Sequence, residues 1–366
     1  MTLSVVEGDL VIGRQATVKG KGMPPKVTVL GVVKCSEGSV FQCSLSAESF
    51  EGEGDIVIQG DLETKDQVKM KAGHLSITGK VKAKKIDADS DLTVGGSLDV
   101  KGNTRAQDID VGGSFSALGE VEAKKIKVRS SVTIKGGHVS DIYVGGSFES
   151  RSLLEFGLID VEGAVKLAGK NRGGDITVGG SCKVDGNLKF GKIHAGGIVE
   201  ISESATGESL NIGGAVRVGS SLQLSRKLKV DGQVEIGEFL TAMEIDVGNS
   251  LKARKVSASK SAKVGGSITT ILGVAAGSLE VGRRSEVKGS IRANEVIIGD
   301  GASVEDIHAK NIFVGRTSRA RNLYAERITI ESGCQVSGDV YYSESLQAEK
   351  NVLFAKTPHK VSQLLE

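Results

Sequence analysis

The sequence predicts an all-β fold, a single-stranded parallel β-helix whose windings have a triangular cross-section. Residues 176–192 contain three short segments in which apolar and polar residues alternate, and each segment carries two apolar positions. This pattern recurs along most of the chain with a period of about 17 residues, which gives roughly 20 windings. The 50 glycines against only three prolines fit a chain that turns tight corners and keeps its ladder hydrogen bonds.

The phase of the repeat divides the chain into three predicted segments. Residues 1–55 are expected to form N-terminal windings or a cap with irregular loops, because two adjacent prolines interrupt the pattern at 24–25. Residues 56–354 are expected to form the regular β-helix. Leu10 and Val27 are expected to extend upstream the series of winding anchors that includes Ile56.

Each winding of the regular segment begins with an apolar anchor that should stack on the anchors of the neighbouring windings. The predicted anchors after Ile56 are Leu75, Leu92, Ile109, Ile126, Ile142, Ile159, Ile176, Ile193, Leu210, Leu228, Ile245, Ala262, Leu279, Val296, Ile312, Ile328 and Leu346.

Residues 355–366 predict a short capping helix over the last winding. Thr357 suits the position before a helix, and Pro358 suits its first turn. An apolar stripe at helical spacing follows, formed by Val361, Leu364 and Leu365. Such a cap would cover a strand edge that otherwise invites pairing with another molecule.

Outward-facing charges in successive windings predict a ladder of ion pairs. The residues alternate in sign, and side chains one strand apart on the same face are direct neighbours. The predicted column contains Lys183, Glu200, Arg217, Glu235 and Lys252, with Glu149 and Lys166 before them. The alternative reading, a charged track for a ligand, is disfavoured because the signs cancel.

Ile297 and Phe313 are apolar residues at an outward position in adjacent windings. They are interpreted either as a chance pair of exposed apolar residues or as a lateral contact surface.

Composition and motifs argue against most other classes of protein. The formal net charge of +2 is too small for strong electrostatic attraction to nucleic acid or to an anionic membrane. No apolar run is long enough to span a bilayer and no signal peptide is recognised, so a cytoplasmic protein without membrane contact is expected.

The four cysteines lack metal-ligand spacing and are expected to fill the core. No catalytic or nucleotide-binding motif occurs, so we expect no enzyme, cofactor or metal site.

The last quarter of the chain resembles the bactofilins, the polymer-forming β-helical cytoskeletal proteins. The residues that carry the resemblance are GSIRANEVIIGDGASVEDIHAKNIFV at 289–314 and NLYAERITIESGCQVSGDVYYSESLQAEKNVLF at 322–354. The resemblance implies a right-handed helix, which parallel crossovers also prefer. It further implies nucleotide-independent, nonpolar filaments formed by end-to-end stacking of terminal windings. By match, Val352 and Phe354 would make the polymer contact. The long helix with short tails differs from the usual family member.

Two functions follow as expectations. The first is an intracellular scaffold that self-associates into filaments or oligomers and recruits unidentified protein clients. The second is a monomeric rod that serves as a spacer and presents sites to a protein or glycan partner.

Overall fold

The computed structural model describes residues 1–363 and has two compact units, Met1–Asp185 and Gly186–Glu366. Each unit is a parallel β-solenoid, and the described residues contain strands but no α-helix. The two units together comprise about 21 turns of about 17 residues. The predicted fold class, an all-β parallel β-helix, is therefore confirmed.

The first unit contains short strands that lengthen and run around the corners of the winding from residue 104 onward. Its strands are β1 Thr2–Leu3, β2 Val5–Val6, β3 Leu10–Ile12, β4 Thr17–Gly20, β5 Lys26–Val29, β6 Val32–Cys35, β7 Ser39–Gln42, β8 Ser44–Ala47, β9 Ser49–Gly52, β10 Ile56–Ile58, β11 Leu62–Thr64, β12 Gln67–Met70, β13 His74–Ile77, β14 Val81–Ala83, β15 Lys85–Ala88, β16 Asp91–Val94, β17 Leu98–Val100, β18 Thr104–Val111, β19 Phe115–Val128, β20 Val132–Val144, β21 Phe148–Ser150, β22 Leu154–Val161, β23 Val165–Ala168, β24 Asn171–Val178 and β25 Cys182–Asp185.

The second unit repeats this organisation. Its strands are β26 Leu188–Lys189, β27 Lys192–Ala195, β28 Val199–Ile201, β29 Ala205–Gly207, β30 Ser209–Ile212, β31 Val216–Val218, β32 Leu222–Leu224, β33 Lys227–Val230, β34 Val234–Ile236, β35 Phe239–Val247, β36 Leu251–Lys252, β37 Lys255–Val264, β38 Ile268–Thr269, β39 Val274–Val281, β40 Glu286–Lys288, β41 Ile291–Ile298, β42 Ser303–Val314, β43 Arg319–Ile330, β44 Gln335–Val336, β45 Val340–Ala348, β46 Leu353–Phe354 and β47 His359–Lys360.

Three columns of parallel strands make up the wall of each solenoid. In the first unit β10 pairs with β7 and β13, β11 pairs with β8 and β14, and β12 pairs with β9 and β15. The chain thus returns to the same column after every third strand. This three-sided winding is what the three apolar pairs per repeat predicted.

The predicted anchors lie in register within each unit. In the first unit Ile142 pairs with Ile159, and Ile159 pairs with Ile176. In the second unit the anchors from Ile193 to Leu346 are successive register partners in one column. Because alternate residues of a strand face opposite sides, this register places the intervening polar residues in solvent.

Two upstream anchors were assigned to the wrong column. Leu10 pairs with Val33 in one column, and Val27 pairs with Leu45 in another, whereas Ile56 pairs with Ser39 in a third. Residues 1–55 form parallel windings, but the loop near residues 20–25 lengthens one of them and shifts the phase of the repeat. Leu10 and Val27 are still buried.

The predicted C-terminal helix is wrong for the described part of residues 355–366. The segment forms strand β47, in which His359 pairs with Tyr341, and the amide of Val361 donates a hydrogen bond to the Tyr342 carbonyl oxygen at 2.9 Å. The free edge of β45 supplies carbonyl and amide partners that the segment can reach only in an extended conformation. Leu364 and Leu365 lie outside the described residues.

The core contains large side chains that lie directly opposite glycines. Phe156 is the register partner of Gly173, and Met70 is the register partner of Gly52. A Cβ atom at Gly207 would lie 2.3 Å from the ring of Phe190, one winding away. The absence of a side chain in one winding therefore makes room for the large one in the next.

Candidate interaction surfaces

The predicted charge ladder is present in the second unit. Glu200, Arg217, Glu235 and Lys252 are successive register partners. The Glu200 carboxylate lies 2.9 Å from the Arg217 guanidinium, and that of Glu235 lies 2.8 Å from the Lys252 ammonium. The hydrogen bond and charge of Lys252 lower the pKa of the Glu235 carboxyl. The ion pairs between neighbouring windings favour this register, and their opposite charges cancel along the column.

The alternation is interrupted in the first unit. Glu149 forms an ion pair with Lys166 at 3.3 Å, but the next register partner of Lys166 is Lys183, which carries the same charge. The predicted alternation is thus confirmed from Glu200 to Lys252, and Glu149 and Lys166, placed before that column, form an ion pair of their own.

We expect the Arg217→Glu substitution to lower the melting temperature more than Arg217→Gln. The glutamate would stand between the carboxylates of Glu200 and Glu235, and like charges directly opposite are destabilising. The neutral variant loses only an exposed pair, worth roughly 0.2–1 kcal/mol. Thermal melts monitored by circular dichroism at low and at high salt test this. The extra loss should shrink in high salt, because exposed charges are screened. Equal melting temperatures for the two variants would rule out repulsion.

A second ladder, which the sequence analysis missed, runs along the third column of the first unit. Its side chains alternate between basic and acidic from Lys34 to Arg172. His138 occupies one of the basic positions of this alternation. The successive partners are Lys34, Glu51, Lys69, Asp87, Arg105, Glu122, His138, Glu155 and Arg172. His138 Nδ1 lies 3.6 Å from a carboxylate oxygen of Glu155. Part of the ladder crosses a shallow concavity of about 540 Å³.

Ile297 and Phe313 are direct register partners on an outward face. Their side chains are 40% and 37% exposed. The structure thus places this pair where the sequence predicted, with Glu280 and Thr329 in the same column on either side. Whether the pair makes a lateral contact stays a prediction.

The last winding leaves core positions partly uncovered. Phe354 is the register partner of Val336, which is 2% exposed, yet Phe354 itself is only half-buried. Val352 is also half-buried, while Leu353 points outward and is 61% exposed. Within residues 1–363, strand β46 pairs with β44 alone. Its outer edge therefore carries free backbone hydrogen-bonding groups.

The first winding has a similar free edge. Strand β1 pairs with β4, β2 pairs with β5 and β3 pairs with β6, and none of the three has a partner on its other side among the described residues. The strands are only two or three residues long, which limits the number of free groups.

A column of stacked rings on the outer face of the second unit ends at strand β47. We call His308, Tyr324, Tyr341 and His359 the aromatic column. Their ring centroids are separated by 4.5, 5.7 and 5.6 Å, and the ring planes are inclined by 9°, 5° and 26°. Each ring belongs to a successive winding, so the stack reinforces the register of the last four strands in this column.

A polar column lies beside the aromatic column. The side chain of Asn322 donates a hydrogen bond to Asp306 at 2.7 Å and accepts one from the amide of Asp339 at 2.7 Å. Arg321 binds Asp306, and the Lys356 ammonium lies 2.9 Å from Asp339. The hydrogen bond from Arg321 lowers the pKa of the Asp306 carboxyl.

Burial is the main cause of the pKa shifts of His308 and Tyr324, the two rings at the inner end of the stack. It lowers the pKa of His308, and the positive charge of Arg292 acts in the same direction. It raises the pKa of Tyr324, to which the carboxylates of Asp339 and Asp306 contribute. Both pKa shifts favour the uncharged forms of His308 and Tyr324.

The cysteines occupy core positions as predicted. All four are buried and free, and burial raises the pKa of Cys35 and of Cys182 to about 12. No group of three or more potential metal ligands is found within residues 1–363. The same residues contain no helix long and apolar enough to cross a membrane.

Comparison with known proteins finds no match among protein-family models, curated proteins or solved structures. The surfaces of this chain therefore have to be interpreted from their own chemistry.

The sequence did contain a signal for the aromatic column. His308, Tyr324, Tyr341 and His359 recur at one repeat length, and three of the four tyrosines of the chain fall within residues 324–342. The stacking becomes evident only once the register of these windings is known.

Proposed function

We propose that this chain is a bactofilin-like structural protein, a β-solenoid that associates with further copies of itself through an end of its winding and serves as a cytoplasmic scaffold rather than as an enzyme. The observation that carries the proposal is the half-buried Phe354 on strand β46, whose outer edge has no partner strand within residues 1–363. The sequence resemblance over residues 289–354 supports it.

The last winding has apolar side chains and backbone hydrogen-bonding groups that no further winding covers within residues 1–363. Inward residues of earlier windings are covered by the next winding, as Ile328 is at 1% exposure, whereas its register partner Leu346 is half-buried. An edge strand of another copy would cover Leu346 and Phe354 and pair the free amide and carbonyl groups of β46. Both the apolar burial and the hydrogen bonds favour association.

We expect Phe354→Glu to weaken self-association and Leu353→Glu to leave it unchanged. Both residues lie in β46, but only Phe354 points toward the core, so the second variant is a matched control. Light scattering over a range of concentrations, with negative-stain microscopy, measures assembly, and circular dichroism checks that both variants fold.

Two results would overturn the proposal. The first is a wild-type protein that remains a single copy at the highest concentration. The second is assembly that survives Phe354→Glu as well as it survives Leu353→Glu. The first result would favour the alternative function, a monomeric spacer with binding sites, for which the aromatic column is the supporting observation.

A further inference from the structure

We infer that strand β47 is a protected side of the last winding, where Lys360 opposes the stacking of a second copy of this chain. This inference rests on the proposed self-association and deepens it. A second copy would be held by the two apolar sides that carry Leu346 and Phe354, and the third side would weaken its binding.

The last winding within residues 1–363 ends in three strand edges, one in each column. Residues 345–348 of β45 form the first edge, β46 forms the second and β47 forms the third. Leu346 and Phe354 continue columns of buried apolar residues on the first two edges. Strand β47 pairs with β45 alone among the described residues, so its outer edge also lacks a partner strand.

Lys360 occupies an inward position on the third edge. It is the register partner of Tyr342, which in turn is the register partner of the buried Ala325. Earlier windings of the second unit carry alanine at this position, namely Ala242, Ala258, Ala276, Ala293, Ala309 and Ala325. The last strand of the column therefore places a cation where the preceding windings have a methyl group.

Stacking would cover the Lys360 ammonium without supplying a counter-charge. Lys360 is exposed and forms no ion pair with any residue that the structure describes. Strand β3, which holds the same column in the first winding, presents Leu10 and Ile12 at its inward positions. The last winding of another copy would offer Leu346, Phe354 or a second Lys360. Because none of these carries a carboxylate, contact with either end of another copy removes water from an unpaired charge, which is costly.

The backbone of this edge is also a poor partner. The amide of Val361 donates to the Tyr342 carbonyl oxygen, so it points toward β45. Because successive amides of a strand point to opposite edges, those of residues 360 and 358 belong to the outer edge. Residue 358 is a proline and has no N–H to donate. Prolines and inward-pointing charges are both known to protect sheet edges from pairing.

The test measures the midpoint concentration for assembly of the full-length protein by light scattering. We expect Lys360→Met, which removes the charge and keeps a long side chain, to lower this midpoint by about fivefold or more. Lys360→Glu should leave the midpoint near that of the wild type, because an unpaired charge still stands at the same position. Lys350→Met makes the matched exchange at an exposed residue in the turn before β46 and should change nothing.

The gain must also come from the same end of the winding. Adding Phe354→Glu to Lys360→Met should abolish it, and a gain that survives this addition would be nonspecific aggregation and would overturn the inference. Equal gains for Lys360→Met and Lys350→Met, or for Lys360→Met and Lys360→Glu, would overturn it as well. Weaker assembly of Lys360→Met would show that Lys360 instead binds a carboxylate of the second copy. Circular dichroism melts check that each variant folds.

Failure of this inference is distinguishable from failure of the proposed function. If the wild type assembles, Phe354→Glu disrupts assembly and Lys360→Met has no effect, the proposed function stands and the role of Lys360 is refuted. If the wild type and Lys360→Met both remain single copies at the highest concentration, both are refuted.

Discussion

Alanine in place of Gly112 is expected to destabilise the first unit by about 1–3 kcal/mol, the usual cost of overpacking a tight site. Gly112 lies at a corner, directly over the corresponding corner of the preceding winding. A Cβ atom there would lie 2.3 Å from the carbonyl oxygen of Gly95, far inside contact distance. The two corners are also joined through the ladder, so neither backbone can move away without loss of hydrogen bonds.

The sign of the effect is the informative part of this prediction. Where the backbone tolerates the substitution, alanine for glycine stabilises a protein by about 0.4–1 kcal/mol, because the unfolded chain becomes less flexible. Gly13 provides the matched control, since a Cβ atom at Gly13 meets nothing within 4 Å and its φ is ordinary. We therefore expect Gly112→Ala to lower the midpoint of urea unfolding and Gly13→Ala to leave it unchanged or raise it.

A Gly112→Ala protein that unfolds at or above the wild-type midpoint would contradict this account of the corners. Because a solenoid can unfold in parts, the midpoint of the first transition is the quantity to compare. If both glycine variants are destabilised alike, the cause is backbone conformation rather than stacking against Gly95.

The periodicity of the sequence was sufficient to predict the architecture, because each winding repeats the same pattern of buried apolar and exposed polar positions. Ile142, Ile159 and Ile176 could be aligned from spacing alone, since a solenoid keeps one period and buries one face. The prediction failed where that period changes. The extra loop residues before Val27 moved it to another column, although its apolar character was read correctly.

The candidate surfaces were predictable only in part. Ile297 and Phe313 could be placed outside because their strand alternates regularly. The C-terminal strand could not be predicted, because Thr357 and Pro358 suit a helix start as well as an extended chain. The edge of β45 decides between these conformations by offering tertiary hydrogen bonds to the segment. A local sequence pattern contains no information about that edge.

The second large effect concerns the core contact between Phe190 and Gly207. Phe190 is 5% exposed, and its ring lies where a side chain at residue 207 would have to lie. We expect Gly207→Ala to be destabilising by about 1–3 kcal/mol, because the added methyl group collides with a ring in a close-packed core. Phe190→Leu should also be destabilising, since it leaves part of the space of the ring empty.

The double variant Phe190→Leu with Gly207→Ala is expected to be more stable than the sum of the two single losses predicts. The smaller side chain yields space that the methyl group fills, so the two substitutions should couple by roughly 0.5–3 kcal/mol. Urea unfolding of the wild type, both single variants and the double variant completes the cycle. Strict additivity would mean that the ring and the glycine do not share space. The same cycle can be measured at Phe156 and Gly173, which are direct register partners in the first unit. It tests whether this core generally places a glycine opposite a large side chain of the neighbouring winding.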